Sequence, residues 1–173
     1  LEALEFIDKA KRPILVILGG AKISTKLSLI NALTEKADYL LLGGGIANTC
    51  LSSIGIEVGS SLIESSVFTE AKQLVEKDNV LLPDKVLVAL NKESDPTDVN
   101  VHSLTKEDCI FDVSPEYINS LEHLFTKAET IIWNGPIGLF EEDRFSLGTQ
   151  AVANQIAGSK AYSVIGGGDT ISA

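Results

Sequence analysis

Two lysines, Lys22 and Lys26, stand four residues apart behind a Gly19-Gly20 pair. Ammonium groups beside a glycine turn and a helix start can meet a phosphate, because backbone N–H groups and the helix dipole favour the same anion. A helix beginning at or near Ser24 would set both ammonium groups on one side of its N-terminus. Three further turns repeat the glycine theme: Gly43-Gly44-Gly45, Asn134-Gly135-Pro136 and Gly166-Gly167-Gly168, the last running into Asp169-Thr170. A lone carboxylate such as Asp169 suits Mg²⁺, which takes one or two carboxylates together with phosphates and waters. Capping the following helix is its alternative use. Thr170 could bond a phosphate beside that helix start. Glu141, in a Phe-Glu-Glu-Asp run, reads on its own as a solvated acidic turn, and Trp133 reads as core.

Other chemistries find no support in the spacing. There is no Gly-x-x-x-x-Gly-Lys-Ser/Thr loop and no Gly-x-Gly-x-x-Gly after the first apolar run. No Ser-His-Asp order or zinc-ligand spacing occurs, and His102 and His123 lie outside the glycine turns. Lysines, glycine turns and a metal-binding carboxylate together point to phosphoryl handling.

The elements that must position these groups follow from the apolar pattern. Ile14–Leu18 is a continuous apolar run, as in a parallel strand buried on both faces. Leu27, Ile30 and Leu33 mark a helix to about Lys36, and Tyr39–Leu42 is a second strand. A helix is expected over Ile46–Ile54, another over about Thr69–Lys77 capped by Ser66 or Thr69, and strands at Val80–Leu82 and Val86–Leu90. Asn91–Asn100 reads as a polar surface loop. Cys109–Val113 is a short strand or extended link, and Ser114-Pro115-Glu116 is a capped helix start. Thr130–Trp133, a helix over Thr149–Ala157 and the strand Tyr162–Ile165 complete the alternation. The class expected is α/β: a doubly wound, Rossmann-like parallel sheet with helices on both faces in three αβα layers. Ligands in such sheets bind outside the carboxyl ends of the strands, where all four glycine turns fall.

At 173 residues the chain can bury one sizeable α/β core. Its formal charge of -10 disfavours nonspecific nucleic-acid binding, while one lysine-lined cleft can still hold an anion. Cys50 and Cys109 are too few for a disulfide scaffold and read as buried free thiols. No apolar run reaches the about 18 residues a spanning helix needs, so no membrane role and a cytoplasmic location are expected. The chain starts at Leu1 without a methionine and stops just after a strand, glycine turn and helix start, which reads as an excised domain. Leu1–Ala10 reads as an amphipathic helix ended by Arg12-Pro13, the tail of a linker.

Four stretches in order, LGGAKISTK at Leu18–Lys26, GGGIANT at Gly43–Thr49, WNGPIGLFE at Trp133–Glu141 and GGGDT at Gly166–Thr170, resemble the C-terminal, nucleotide-binding domain of the phosphoglycerate kinase family. Thr25, where the family usually has Asp, and the IANT sequence look like the gamma-proteobacterial branch; Cys50, where that branch often has Phe, departs from it. The resemblance implies residues 1–12 as the end of an interdomain linker helix and 13–173 as the nucleotide domain, truncated. It implies a separate N-terminal domain for 1,3-bisphosphoglycerate and 3-phosphoglycerate, not contained here. It also implies a monomer in glycolysis, with Mg²⁺ and ADP or ATP as cofactor and substrate, and no nucleic acid. Lys22 would stabilise the transferring phosphoryl group, with Gly167 and Gly168 beside it. Lys26 and Gly20 would hold nucleotide phosphate, and Asn134 would contact the phosphate end. Gly166 and Thr170 would cradle phosphates and Asp169 the Mg²⁺. Gly43, Gly44, Gly45 and Pro136 would line the nucleoside side, and Glu141 would take the ribose hydroxyls. A regulatory nucleotide-binding module without catalysis is the alternative; a dinucleotide oxidoreductase is disfavoured by the missing Gly-x-Gly-x-x-Gly.

Overall fold

The structure is a computed structural model that describes residues 7–173. The expected helix over Leu1–Ala10 therefore lies largely outside the described residues. Five parallel strands form the main sheet: β1 (Ile14–Leu18), β2 (Tyr39–Leu42), β3 (Val80–Leu81), β7 (Thr130–Asn134) and β8 (Tyr162–Gly166), in the order β3-β2-β1-β7-β8. The chain winds outward from β1 to β3, then returns to the other side of β1 for β7 and β8. The winding reverses between β1 and β7, and open sheets of this kind take ligands at that switch point.

Alternate residues along the buried strands serve opposite faces. Val16 and Leu18 pack beneath α1 (Leu27–Lys36), α2 (Gly44–Ser53) and α3 (Phe68–Val75). Leu15, Ile17 and Trp133 pack beneath α4 (Pro115–Ser120), α5 (Glu122–Lys127) and α6 (Leu147–Gly158). This is the doubly wound, three-layer αβα arrangement the alternation predicts. A final short helix, α7 (Gly168–Ser172), follows β8. Asp38 locks the start of the sheet, accepting from the Ile14 amide at 2.6 Å while pairing with Arg12 at 2.7 Å.

One part of the pattern resolves differently. β4 (Lys85–Ala89), β5 (Thr97–Asn100) and β6 (Cys109–Val113) leave the parallel sheet and form an antiparallel sheet of their own, in the order β5-β4-β6. The segment expected as a polar loop thus ends in strand β5, which is almost wholly exposed and shows no apolar alternation. The small sheet has its own core around Val86, Val88, Ile110 and Leu51. Tyr117 joins it to the main body by donating to the Leu82 carbonyl at 2.8 Å.

Several helix starts also shift. α1 begins at Leu27, after a turn through Ser24 and Thr25, so both lysines precede the helix rather than riding on it. α2 begins at Gly44, inside the glycine run. α3 has no side-chain cap from Ser66 or Thr69; a 3₁₀ turn at Ser65–Val67 leads into it. Ser114 does cap α4, accepting from the Glu116 amide at 3.1 Å with Pro115 next in line. Cys50 is buried, and burial pushes its thiol up to about 12, but Cys109 is only half-buried because the side of β6 that carries it faces a cavity.

Candidate functional site

A cavity of about 580 Å³ opens between the carboxyl ends of the parallel strands and the small sheet. Of the residues expected at the site, Gly20, Lys22, Lys26, Gly44, Gly45, Pro136, Glu141 and Asp169 line it. Gly43, Asn134, Gly166, Gly167, Gly168 and Thr170 do not line it; Asn134, Gly167 and Thr170 cluster next to the Lys26 end, and Gly43 packs against Ile137.

Lys26 sits at the switch point. Its Nζ donates to the Gly19 carbonyl at 2.9 Å, to Asn134 Oδ1 at 2.7 Å and, longer, to the Asn134 carbonyl at 3.4 Å. The ammonium thus ties the end of β1 to the end of β7. Burial draws its pKa down, and the nearby Asp169 carboxylate partly restores it. Lys22 stands free of this knot, exposed at the cavity lip. The turn carrying both lysines is pinned from outside: Glu64 accepts from the Ser24 amide at 2.9 Å and also bonds the Ser24 hydroxyl. These bonds and the Lys22 charge hold the Glu64 carboxyl below its ordinary range.

The glycine turns divide into two kinds. At the cavity floor they touch one another. A Cβ on Gly19 would lie 1.9 Å from the Pro136 carbonyl oxygen, and one on Gly45 would lie 2.2 Å from that of Ala21. Gly44, at φ +61°, leans on the Gly20 backbone and donates its amide to Ile137 at 3.0 Å. These glycines let the ends of three strands, β1, β2 and β7, meet main chain to main chain. The turn after β8 is open by contrast: a Cβ on Gly168 would meet nothing within 4 Å. Gly167 takes φ +95° there and turns β8 into α7, beside the Asn134 side chain.

Thr170 is buried, and its hydroxyl oxygen accepts from the Gly135 amide at 2.7 Å. The hydroxyl proton is left to donate. Trp133 is core as expected, and its indole N–H reaches the Gly135 carbonyl at 2.9 Å, which stiffens the same turn. Glu141 is exposed and lines the cavity.

Sequence reasoning missed the apolar part of the lining. Leu62, Pro83, Val86, Ile110 and Phe111 line it. Phe111 is braced by the buried Phe145 ring, with centroids 4.6 Å apart. Nothing local marks these residues, because a strand with apolar members reads equally well as core. Asp112, which also lines the cavity, was missed for the same reason.

A cavity lined by Lys22, Lys26 and Asp169 and also by Leu62, Pro83, Val86, Ile110 and Phe111, over a glycine floor, can hold a molecule that is anionic in one part and flat and apolar in another. Known proteins bear on which. The phosphoglycerate kinase family's sequence profile matches residues 1–173. The phosphoglycerate kinase of Baumannia cicadellinicola subsp. Homalodisca coagulata is 42% identical over 174 residues, covering 98% of this chain and 45% of that protein. The solved structure of phosphoglycerate kinase from Coxiella burnetii superposes with a TM-score of 0.90 at 40% identity, over 94% of this chain and 44% of that one. That of phosphoglycerate kinase from Pyrococcus horikoshii OT3 gives 0.83 at 26% identity, over 98% and 45%. The chain spans about half the length of these relatives. With the four glycine-bearing strand ends, the paired lysines and the matching fold in place, the chain belongs to the phosphoglycerate kinase family.

Proposed function

We propose that this chain is the C-terminal, nucleotide-binding domain of a phosphoglycerate kinase of gamma-proteobacterial type. It supplies the Mg-nucleotide half of the site for reversible transfer of the acyl phosphate of 1,3-bisphosphoglycerate to ADP, giving ATP and 3-phosphoglycerate. Residues 1–12 are the end of the linker helix and 13–173 the domain itself. A partner N-terminal domain holds the phosphoglycerate, and the whole works as a cytoplasmic monomer in glycolysis. The observation that carries this reading is the convergence of Lys22, Lys26 and Asp169 on one cavity floored by strand-end glycines.

In this reading the nucleotide lies along the cavity, its base on the Phe111 wall and its ribose at Glu141. Its phosphates reach the Gly166–Gly168 turn. Gly43 and Pro136 complete the nucleoside side, and Asn134 with Gly20 borders the phosphates. Lys26 steadies a phosphate while remaining tied to Asn134, and the Thr170 hydroxyl can donate to a phosphate oxygen. Lys22, free to move, follows the phosphoryl group as its charge spreads over the equatorial oxygens, where a fixed cation lowers the barrier most. Asp169 would hold a nucleotide-bound Mg²⁺, which would supply neutralisation of phosphate charge. The residues fit that arrangement: among the described residues no group of three or more His, Cys, Asp or Glu forms a cage, and Asp169 offers a single exposed carboxylate at the cavity edge. Transfer needs both substrates aligned and water excluded, so this chain alone should bind nucleotide and transfer almost nothing.

Calorimetric titration of the chain with ADP, with and without Mg²⁺, tests the reading. Saturable, Mg²⁺-dependent binding is expected. A folded chain that takes up no ADP in either condition would overturn the assignment of the cavity as a self-sufficient nucleotide site.

A further inference from the structure

Asp112 on β6 is the only Asp, Glu, Lys or Arg among the described residues that is fully enclosed, at 1% exposure. None of the ion pairs among the described residues includes it. Its partners are two main-chain amides. Oδ2 accepts from Gly148, the second residue of α6, at 2.7 Å, and Oδ1 accepts from Val113 at 2.8 Å. An apolar side chain there would leave the Gly148 amide buried without a partner.

The same carboxyl group has a second neighbour. Gly138 crosses directly over it, so closely that a Cβ there would fall 1.9 Å from Oδ1; one on Gly148 would fall 2.6 Å away. The residues flanking Gly138 are held too. Ile137 donates to the Thr149 hydroxyl at 3.2 Å, and Leu139 donates to the Phe111 carbonyl at 2.8 Å. Thr149 belongs to the helix that Asp112 anchors, and Phe111 precedes Asp112 on its strand. Asp112 is therefore the common support of the segment that presents Pro136 at one end and Glu141 at the other.

We infer that Asp112 is a positioning residue for the nucleoside side of the cleft: by docking the start of α6 and the Gly138 crossing against β6, it sets where the Pro136–Glu141 loop meets a bound nucleotide. The inference rests on reading the cavity as a nucleotide site, but its structural half can be tested without one.

The experiment compares Asp112→Ala and Asp112→Asn with the wild-type chain by MgADP titration and by amide hydrogen exchange at Ile137 and Leu139. Asp112→Ala should weaken MgADP about tenfold, the loss expected of one buried hydrogen-bonded group. It should also speed exchange at both amides. Asp112→Asn keeps the volume and one acceptor and should recover most of both losses. Binding of magnesium pyrophosphate, which does not reach the loop, should hold; a general loosening of the fold would weaken both ligands together. A folded Asp112→Ala with wild-type affinity and wild-type exchange overturns the inference. If that variant does not fold, Asp112→Asn decides, since exchange at Ile137 and Leu139 unchanged from wild type overturns it equally. If the wild-type chain binds no MgADP, the nucleotide reading fails, and the exchange data alone still show whether Asp112 fixes the loop.

Discussion

The Lys26 ammonium lies 2.7 Å from Asn134 Oδ1, across the point where the sheet reverses its winding. The two residues are 108 positions apart in sequence, so the bond closes the cleft floor as well as setting a charge in it. Asn134→Ala should destabilise the chain by about 1.5–3 kcal/mol, as expected for a hydrogen bond to a charged group. It should also weaken MgADP, because Lys26 loses its fixed direction. A melting temperature equal to wild type would show that the bond is incidental.

Asp112 gives a pH signature. Burial pushes its pKa from 3.8 up to about 8, against two amide donors that pull it down. The folded chain therefore holds a proton that the unfolded chain has released. Its stability contribution is complete below the unfolded value and falls as pH rises from about 4 to about 8. Asparagine has no proton to lose. The melting temperature of Asp112→Asn relative to wild type should therefore become more favourable between pH 5 and pH 8. A difference that stays constant over that range would contradict the buried acid.

The two kinds of glycine should respond oppositely to a methyl group. Gly45→Ala forces a Cβ to 2.2 Å from a backbone carbonyl oxygen that cannot step aside. A loss of at least about 1–3 kcal/mol in denaturant unfolding is expected. Gly168→Ala meets nothing within 4 Å and should unfold like wild type, while weakening MgADP if phosphate approaches that backbone. Equal stability of the two variants would refute the division.

On the proposed reading, Lys22 and Asp169 would separate chemistry from metal binding in the full-length kinase. Lys22→Ala should lower turnover about 10²-fold or more, with the nucleotide KM changed far less, because its cation acts on developing charge. Turnover near wild type would remove it from that role. Asp169→Asn should weaken MgADP more than metal-free ADP in calorimetry. Equal weakening of both would make the carboxylate a helix cap.

The parallel sheet was legible wherever burial left a continuous apolar run, as at Ile14–Leu18 and Thr130–Trp133. β5 was not legible, because Thr97, Asp98 and Asn100 face water and its pairing with β4 is made by main chain. The start of α1 was misplaced because Ser24 is held by Glu64, 40 residues onward, and no local signal records that bond. Glycine disfavours helix interiors by about 1 kcal/mol, which argued against a start at Gly44; close contact with Gly20 and Ala21 outweighs that preference. The polar end of the candidate site was legible because its groups cluster in four short stretches. The apolar wall was not, since Leu62, Val86 and Phe111 are brought together only by the small sheet and its neighbouring loop.

The floor where Gly19, Gly44 and Gly45 meet neighbouring backbones offers no gradual change: any side chain added there collides with main chain. Redesign of what the cleft accepts has to work on the apolar lining instead. There Leu62, Pro83 and Phe111 can be exchanged a few atoms at a time. Tolerance to alteration is therefore uneven, with a rigid bed and an adjustable apolar lining, and on the proposed nucleotide reading a library aimed at new bases would be best confined to that lining.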